Sequence, residues 1–278
     1  CNEEGYVLDD ILVYQSAPND YYLVVNACNI ATDLEALKAY APDSVTIHDQ
    51  SDVTAAIAVQ GPKSEEILNK LFGFDFEGLG HYAYQELHFA GKPLWVSRSG
   101  YTGEKGFEIF CSSELALQMW SRLCDDGKAL GALPAGLGAR NTLRLEAGNP
   151  LYGHELDRTT TPIEAGFEFA VCFDKGGFVG GDAILTKKMR GIARKLVGIR
   201  MNDKAVARDG YPVFLPGSNR IGHVTSGSYG PSVDANIGMA YVLKSAATLG
   251  TSIEIEIHGR RAQAQVVATP FIALKHRA

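Results

Sequence analysis

Ser252-Ile-Glu-Ile-Glu-Ile-His-Gly-Arg-Arg-Ala-Gln-Ala-Gln-Val-Val-Ala268 decides how the last part of this chain folds. It reads as two short strands, 252–257 and 262–268, joined by a turn at His258-Gly259. Residues 196–200, 211–214, 220–225 and 238–243 read the same way, with turn signals at Pro216-Gly217, Gly227 and Gly230-Pro231. Short strands separated by such turns are the signature of a small antiparallel barrel or sandwich. A basic, glycine-containing run, 187–194, sets this part off from the rest, and a domain boundary is expected at 190/191.

Upstream, strands are expected at 6–14, 21–26, 44–48, 55–60, 83–89, 93–98, 107–111 and 162–171. Helices are expected behind Thr32-Asp-Leu-Glu35, which has the form of a capping box, and after Gly61-Pro62, ending near Phe72-Gly73. A further helix is capped by Ser113 and carries Leu115, Leu117, Trp120 and Leu123 as its core stripe, and another reaches Arg190. Strands and helices mix without regular βαβ alternation, so the fold class is α+β rather than a doubly wound sheet.

With 278 residues, 46% hydrophobic and 21% charged, the chain has globular composition and can bury a proper core. A net charge of −6 argues against general nucleic-acid binding. The charge is unevenly spread: residues 1–190 hold 15 basic and 27 acidic residues, and 191–278 hold 11 and 5. The basic part either meets an acidic partner or simply attracts the rest of the chain. The five cysteines show no metal-ligand spacing, and no metal site is expected. Cys28 and Cys111 lie in apolar runs and are read as buried thiols in a reducing compartment. No run has the length of a membrane-spanning helix, no membrane association is expected, and no signal peptide is visible. The chain opens on Cys1, without methionine, directly before a strand-like segment, so an N-terminally truncated protein is expected.

Three stretches carry candidate chemistry. In 6–14, alternation sends Asp9 and Asp10 to opposite faces, with Asp10 sharing the parity of Leu8, Leu12 and Tyr14. Asp10 is then either a carboxylate satisfied by backbone amides or a pocket acid with a shifted pKa. Ser99-Gly-Tyr-Thr-Gly-Glu-Lys-Gly-Phe-Glu108 lacks the phosphate-loop spacing. Its glycines suit a flat ligand lying on the backbone with Tyr101 as a wall, and Glu108 suits the amidine-like edge of a pterin or guanine. The alternative for Glu108 is a salt bridge to Arg140 or Arg98. Ala135-Gly-Leu-Gly-Ala-Arg-Asn-Thr-Leu-Arg-Leu-Glu-Ala-Gly148 reads as a loop becoming a helix, with Arg140 and Arg144 on one stripe. Spacing alone makes them a solvated pair. No nucleophile elbow is present, and His154 is read as a structural hydrogen bonder.

Taken in order, these stretches resemble the T-protein of the glycine cleavage system, an aminomethyltransferase. The matching text is Val7-Leu-Asp-Asp-Ile-Leu-Val-Tyr14, Val25-Asn26-Ala27, Ala58-Val-Gln-Gly-Pro62, the 97–108 run, 135–148, Tyr152-Gly-His-Glu-Leu-Asp157, Thr160-Thr-Pro-Ile-Glu164, Phe178-Val-Gly, Thr225-Ser-Gly and Ile237-Gly-Met-Ala-Tyr241. The resemblance implies a mixed antiparallel-sheet folate-binding region at 1–190 and a small antiparallel β-barrel at 191–278. It implies tetrahydrofolate as co-substrate, ammonia release, 5,10-methylene-tetrahydrofolate as product, and a lipoyl-bearing carrier protein (the H-protein) as partner. By motif, Asp10 is the catalytic carboxylate, Glu108 and Arg140 bind substrate, and Tyr14, Asn26 and Tyr101 fall on pocket positions. Arg144 keeps a structural role.

Some features depart from the family. The Phe-Asp-Val-Ser-His-Met type motif of its N-terminal segment is absent, Asn141 stands where aspartate is usual, and Tyr229-Gly-Pro-Ser replaces Phe-Ser-Pro-Thr. The tail 271–278 lacks the tyrosines found in some members. The rival readings are a folate-dependent demethylase of the same fold, acting on dimethylglycine, sarcosine or a sulfonium compound, and a non-catalytic folate-binding protein. The latter carries a Lys-Gly-Cys-Tyr signature, against Lys175-Gly-Gly-Phe178 here. The expected location is the bacterial cytoplasm, with a mitochondrial one as the alternative.

Overall fold

A computed structural model describes residues 1–275. Its strands are β1 (Leu12–Ala17), β2 (Asp20–Val24), β3 (Thr54–Gln60), β4 (Tyr84–Phe89), β5 (Lys92–Ser97) and β6 (Gly106–Ser112), followed by β7 (Arg194–Met201), β8 (Pro212–Phe214), β9 (Arg220–Gly230), β10 (Ala235–Leu243), β11 (Ser252–Ile257) and β12 (Arg260–Val267). Its helices are α1 (Ile30–Tyr40), α2 (Ser64–Phe72), α3 (Ser113–Lys128), α4 (Leu137–Glu146) and α5 (Gly181–Arg190). The chain packs into two units. One comprises Cys1–Ile47 and Pro150–Phe271; the other comprises His48–Asn149 and the chain from Ile272 onward. The last three residues of the tail, 276–278, lie outside the described residues.

In the first unit, β7–β12 close into an antiparallel barrel of order β10-β7-β12-β11-β8-β9. The hairpin β11–β12 pairs Ile255 with Ala262 and Ile253 with Ala264. Alternate residues of a strand point to one face. Ile253, Ile255, Ala262, Ala264 and Val266 therefore enter the barrel interior together with Ile199, Val213, Val224 and Val242. Each fully buried Val or Ile contributes about 1.5–3 kcal/mol relative to an exposed one. β9 runs beyond the expected stretch and through Gly227, where the sequence pattern predicts a turn. A Cβ there would stand 2.3 Å from the Ala207 carbonyl oxygen, so this glycine serves close backbone approach.

The same unit holds the β1–β2 hairpin, in which Tyr14 faces Tyr22. β1 begins at Leu12, after the Asp9-Asp10 pair, so strand alternation does not govern those two carboxylates. Helix α1 begins at Ile30, and the expected capping box does not form; Asn29 occupies the N-cap and its side chain is engaged elsewhere. Residues 162–171 are turns and a short 3₁₀ segment instead of a strand. There the Glu164 carboxylate accepts the Thr161 main-chain N–H and hydroxyl, a local alternative to ladder pairing. Residues 44–48 form no strand either. Cys28 is exposed, against expectation, whereas Cys111 in the other unit is buried.

The second unit is a four-stranded antiparallel sheet of order β3-β6-β5-β4. α2 and α3 pack with Phe107, Ile109 and Cys111 of β6 and with Leu94 and Val96 of β5. The buried stripe of α3 is Leu115, Met119 and Leu123, spaced four apart. Leu117 and Trp120, expected in that stripe, are exposed. α2 ends on Gly73 at φ 62, whose N–H returns to the Asn69 carbonyl. On the opposite parity of β6 stand Glu108 and Phe110, and Trp95 stacks on Phe110 with ring centroids 4.1 Å apart.

Candidate functional site

The candidate residues fall on both units. In the first, the chain before β1 and the end of β2 bring Asp9, Asp10 and Asn26 together. Asn26 donates its main-chain N–H to Asp9 Oδ2 at 3.0 Å. Its side-chain nitrogen donates to Asp9 Oδ1 at 2.7 Å and to Asp10 Oδ1 at 3.0 Å. The Asn26 backbone amide thus goes to Asp9, while Asp10 keeps a backbone hydrogen bond of its own. Asp10 is exposed, yet partial desolvation, followed by the charge of Asp9, pushes its carboxyl up to about 6. The Asn26 hydrogen bond works in the opposite sense. Asn29 adds a further hydrogen bond to Asp9 Oδ1, 2.9 Å, and Asp33 of α1 lies against Asp9. Burial, then the hydrogen bond with Asp9 and its charge, pushes Asp33 up to about 7. Asp9, Asn29 and Asp33 were not singled out from sequence. Tyr14 is buried on β1.

In the second unit, Glu108 on β6 is half-buried and its Oε2 accepts the hydroxyl of buried Ser99. Among the described residues it forms no ion pair: Arg98 donates to the carbonyls of Glu77 and Leu79, and Arg140 lies over the Tyr101 ring, 4.5 Å from its centroid. Arg140 is exposed on the first turn of α4. Arg144, one turn on, is buried; its Nε donates to Asn141 Oδ1 at 2.9 Å and Nη1 to the Asn149 carbonyl at 3.2 Å. The two arginines expected on one stripe therefore differ completely in exposure.

Gly100 and Gly106 of the 99–106 loop make room for a neighbouring side chain. Gln60, at the end of β3, fills that space. A Cβ at Gly100 would stand 2.0 Å from Gln60 Oε1, and one at Gly106 2.3 Å from it. Gln60 Nε2 donates to the carbonyls of Ser99 and Phe107, and Thr102 Oγ1 donates to Gln60 Oε1. Gln60 thereby fixes the loop that presents Tyr101. Its only sequence signal was its place in the Ala58-Val-Gln-Gly-Pro62 motif. His154 keeps a structural part, with Nδ1 3.1 Å from the Thr225 carbonyl. Among the described residues, no helix is long and apolar enough to cross a membrane.

The barrel, the α+β units and these carboxylates define a two-domain class that comparison makes specific. Residues 1–175 match the family model described as the GCVT N-terminal domain, and residues 194–272 match the glycine cleavage T-protein C-terminal barrel domain. The chain belongs to the glycine cleavage T-protein family, and its enzyme class is aminomethyltransferase. It is 45% identical over 273 residues to an aminomethyltransferase of Geobacillus sp. (strain WCH70), covering 98% of this chain and 75% of that one. It is 44% identical to that of Bacillus subtilis (strain 168), with the same coverage. The crystal structure of glycine cleavage system aminomethyltransferase T from Bartonella henselae superposes with a TM-score of 0.90 at 32% identity, covering 99% of this chain and 74% of that one. These relatives favour the aminomethyltransferase reading over the demethylase and the non-catalytic one.

Proposed function

We propose that this chain takes the aminomethyl group from the lipoyl arm of a small carrier protein, releases its nitrogen as ammonia, and delivers the carbon to N5 and N10 of tetrahydrofolate. The product is 5,10-methylene-tetrahydrofolate. The observation that carries the assignment of Asp10 is its carboxylate: exposed, oriented by Asn26, and raised to about 6. Such a group is mostly ionised at neutral pH, yet close enough to it to handle a proton. Asp10 is the catalytic carboxylate, orienting the folate nitrogens and stabilising positive charge on the transferred carbon.

Glu108 suits the pterin edge. It is a half-buried carboxylate with no ion-pair partner among the described residues, and it can accept two adjacent N–H donors. Arg140 and Tyr101 form a cation–aromatic platform that binds the anionic and planar parts of the co-substrate. Tyr14 and Asn26 complete the set, Asn26 through its hold on Asp10. Residues 1–190 carry this chemistry, and the barrel region, 191–278, offers the carrier a basic surface that includes exposed Lys195, Arg200, Lys204 and Lys244.

The test follows methylene-tetrahydrofolate and ammonia from aminomethylated carrier, beside methylated amine and sulfonium donors. Turnover with methylated donors alone would replace this reading with the demethylase. Asp10→Ala is expected to abolish turnover with the fold intact, and a wild-type rate would sink the catalytic assignment. Glu108→Ala is expected to weaken tetrahydrofolate binding by titration. Carrier association should slow as salt rises, and a salt-independent rate removes the barrel as docking surface.

A further inference from the structure

Asp9 is the member of the acidic cluster to which the reaction above gives no task, although it holds more of the surrounding hydrogen bonds than Asp10 does. Its two oxygens accept the Asn26 main-chain N–H, the Asn26 side-chain amide and the Asn29 side-chain amide. The remaining proton of Asn26 Nδ2 reaches Asp10 Oδ1. Ionised carboxylates only accept hydrogen bonds, so it is the amide nitrogen of Asn26 that must face both acids. Asp33, only 8% exposed, lies against Asp9, and its Oδ2 has no hydrogen-bond partner among the described residues. Two carboxyls in such contact do not both ionise readily, and burial with Asp9 beside it raises Asp33 to about 7, so below that pH it holds a proton beside Asp9.

We propose that Asp9 is a positioning residue for the transfer: it fixes the Asn26 carboxamide so that one N–H is aimed at the Asp10 carboxylate, and Asp33 secures Asp9 in turn. This rests on Asp10 being the catalytic carboxylate. Asp9 acts in two ways. Through Asn26 it restricts Asp10 to one orientation, and through space its negative charge opposes ionisation of Asp10. The other group that bears on the cluster within this unit is Tyr152, whose half-buried hydroxyl feels both Arg158 and Asp9.

Asp9→Asn keeps the shape and removes the charge. Its kcat is expected to fall about tenfold through loss of a charge-assisted hydrogen bond, with KM for tetrahydrofolate changed less. The acid limb of its pH–rate profile is expected to move down by about one pH unit, because a like charge beside Asp10 is gone. A purely structural role would lower the rate and leave the limb in place. An unmoved limb therefore overturns the proposal, whatever happens to kcat. Should Asp9→Asn fail to fold, carbon-13 NMR titration of the aspartate carboxyls in the unaltered protein decides: Asp33 protonated at pH 6 supports the arrangement, and Asp33 ionised there overturns it. Asp10→Asn is assayed in parallel. If that variant is active, the catalytic reading of Asp10 fails; if it is inactive while the limb of Asp9→Asn stays put, only the positioning role fails.

Discussion

Replacing Gly106 by alanine tests how Gln60 builds the loop that carries Tyr101. The new Cβ would stand 2.3 Å from Gln60 Oε1 and 2.4 Å from its Cδ, so the carboxamide must leave. It then loses its bonds to Ser99 O (3.1 Å), Phe107 O (3.0 Å) and the Thr102 hydroxyl (2.9 Å). At about 1 kcal/mol net for each hydrogen bond, the cost is about 3 kcal/mol. Gln60→Ala loses the same three bonds and should cost about as much. In the double variant the alanine methyl enters space already vacated, so the costs should not add: about 3 to 4 kcal/mol in total is expected, against about 6 for independent sites. Urea unfolding followed by tryptophan fluorescence is a suitable assay, because both tryptophans of the chain, Trp95 and Trp120, lie in the unit that holds this loop. Additive costs, or a Gly106→Ala variant as stable as the parent, would refute the reasoning. The same variants should bind tetrahydrofolate more weakly, since Tyr101 loses its fixed support.

Two predictions concern pH. The Asp10 carboxyl is raised to about 6 and is needed ionised, so turnover should rise with pH through about 6 and level off above it. Roughly nine-tenths of the group is ionised at pH 7 and roughly a tenth at pH 5, so the rate should fall about tenfold between them, as a pH–rate profile will read. Asp33 is raised in the fold from 3.8 to about 7. Its contribution to stability is therefore fully present below the unfolded value and is lost as pH rises through about 7. Thermal unfolding of the parent should weaken from pH 5 to pH 8, and Asp33→Asn should lack that part of the loss; identical pH dependence in both would refute it.

Local pattern was a good guide wherever a segment's partners are its neighbours in sequence. The barrel hairpins, the α2 stop at Gly73 and the β4–β5 hairpin depend on turn residues and apolar runs within a few positions, and these were legible. Errors arose where a distant side chain decides. Gly100 and Gly106 looked like room for a ligand because Gln60, some forty residues earlier, is invisible to local reading. Gly227 looked like a turn because nothing nearby announces the Ala207 carbonyl that passes over it. Asp10 was assigned by strand parity, but β1 starts two residues after it. Leu117 and Trp120 were assigned to the core by being apolar, whereas the 3.6-residue period selects Leu115, Met119 and Leu123.

By itself the sequence determined the α+β class, a barrel or sandwich of short strands and, through motifs in family order, the barrel and the enzyme class. These depend on local backbone preference, or on text that survives being read as text. Only the tertiary structure decided which of two adjacent aspartates the asparagines hold and which of two arginines on one helix is buried. It also decided what fills the glycine-lined space beside Tyr101. Hydrogen-bond partnership and desolvation belong to groups brought together from far apart in the chain, and no local pattern encodes them.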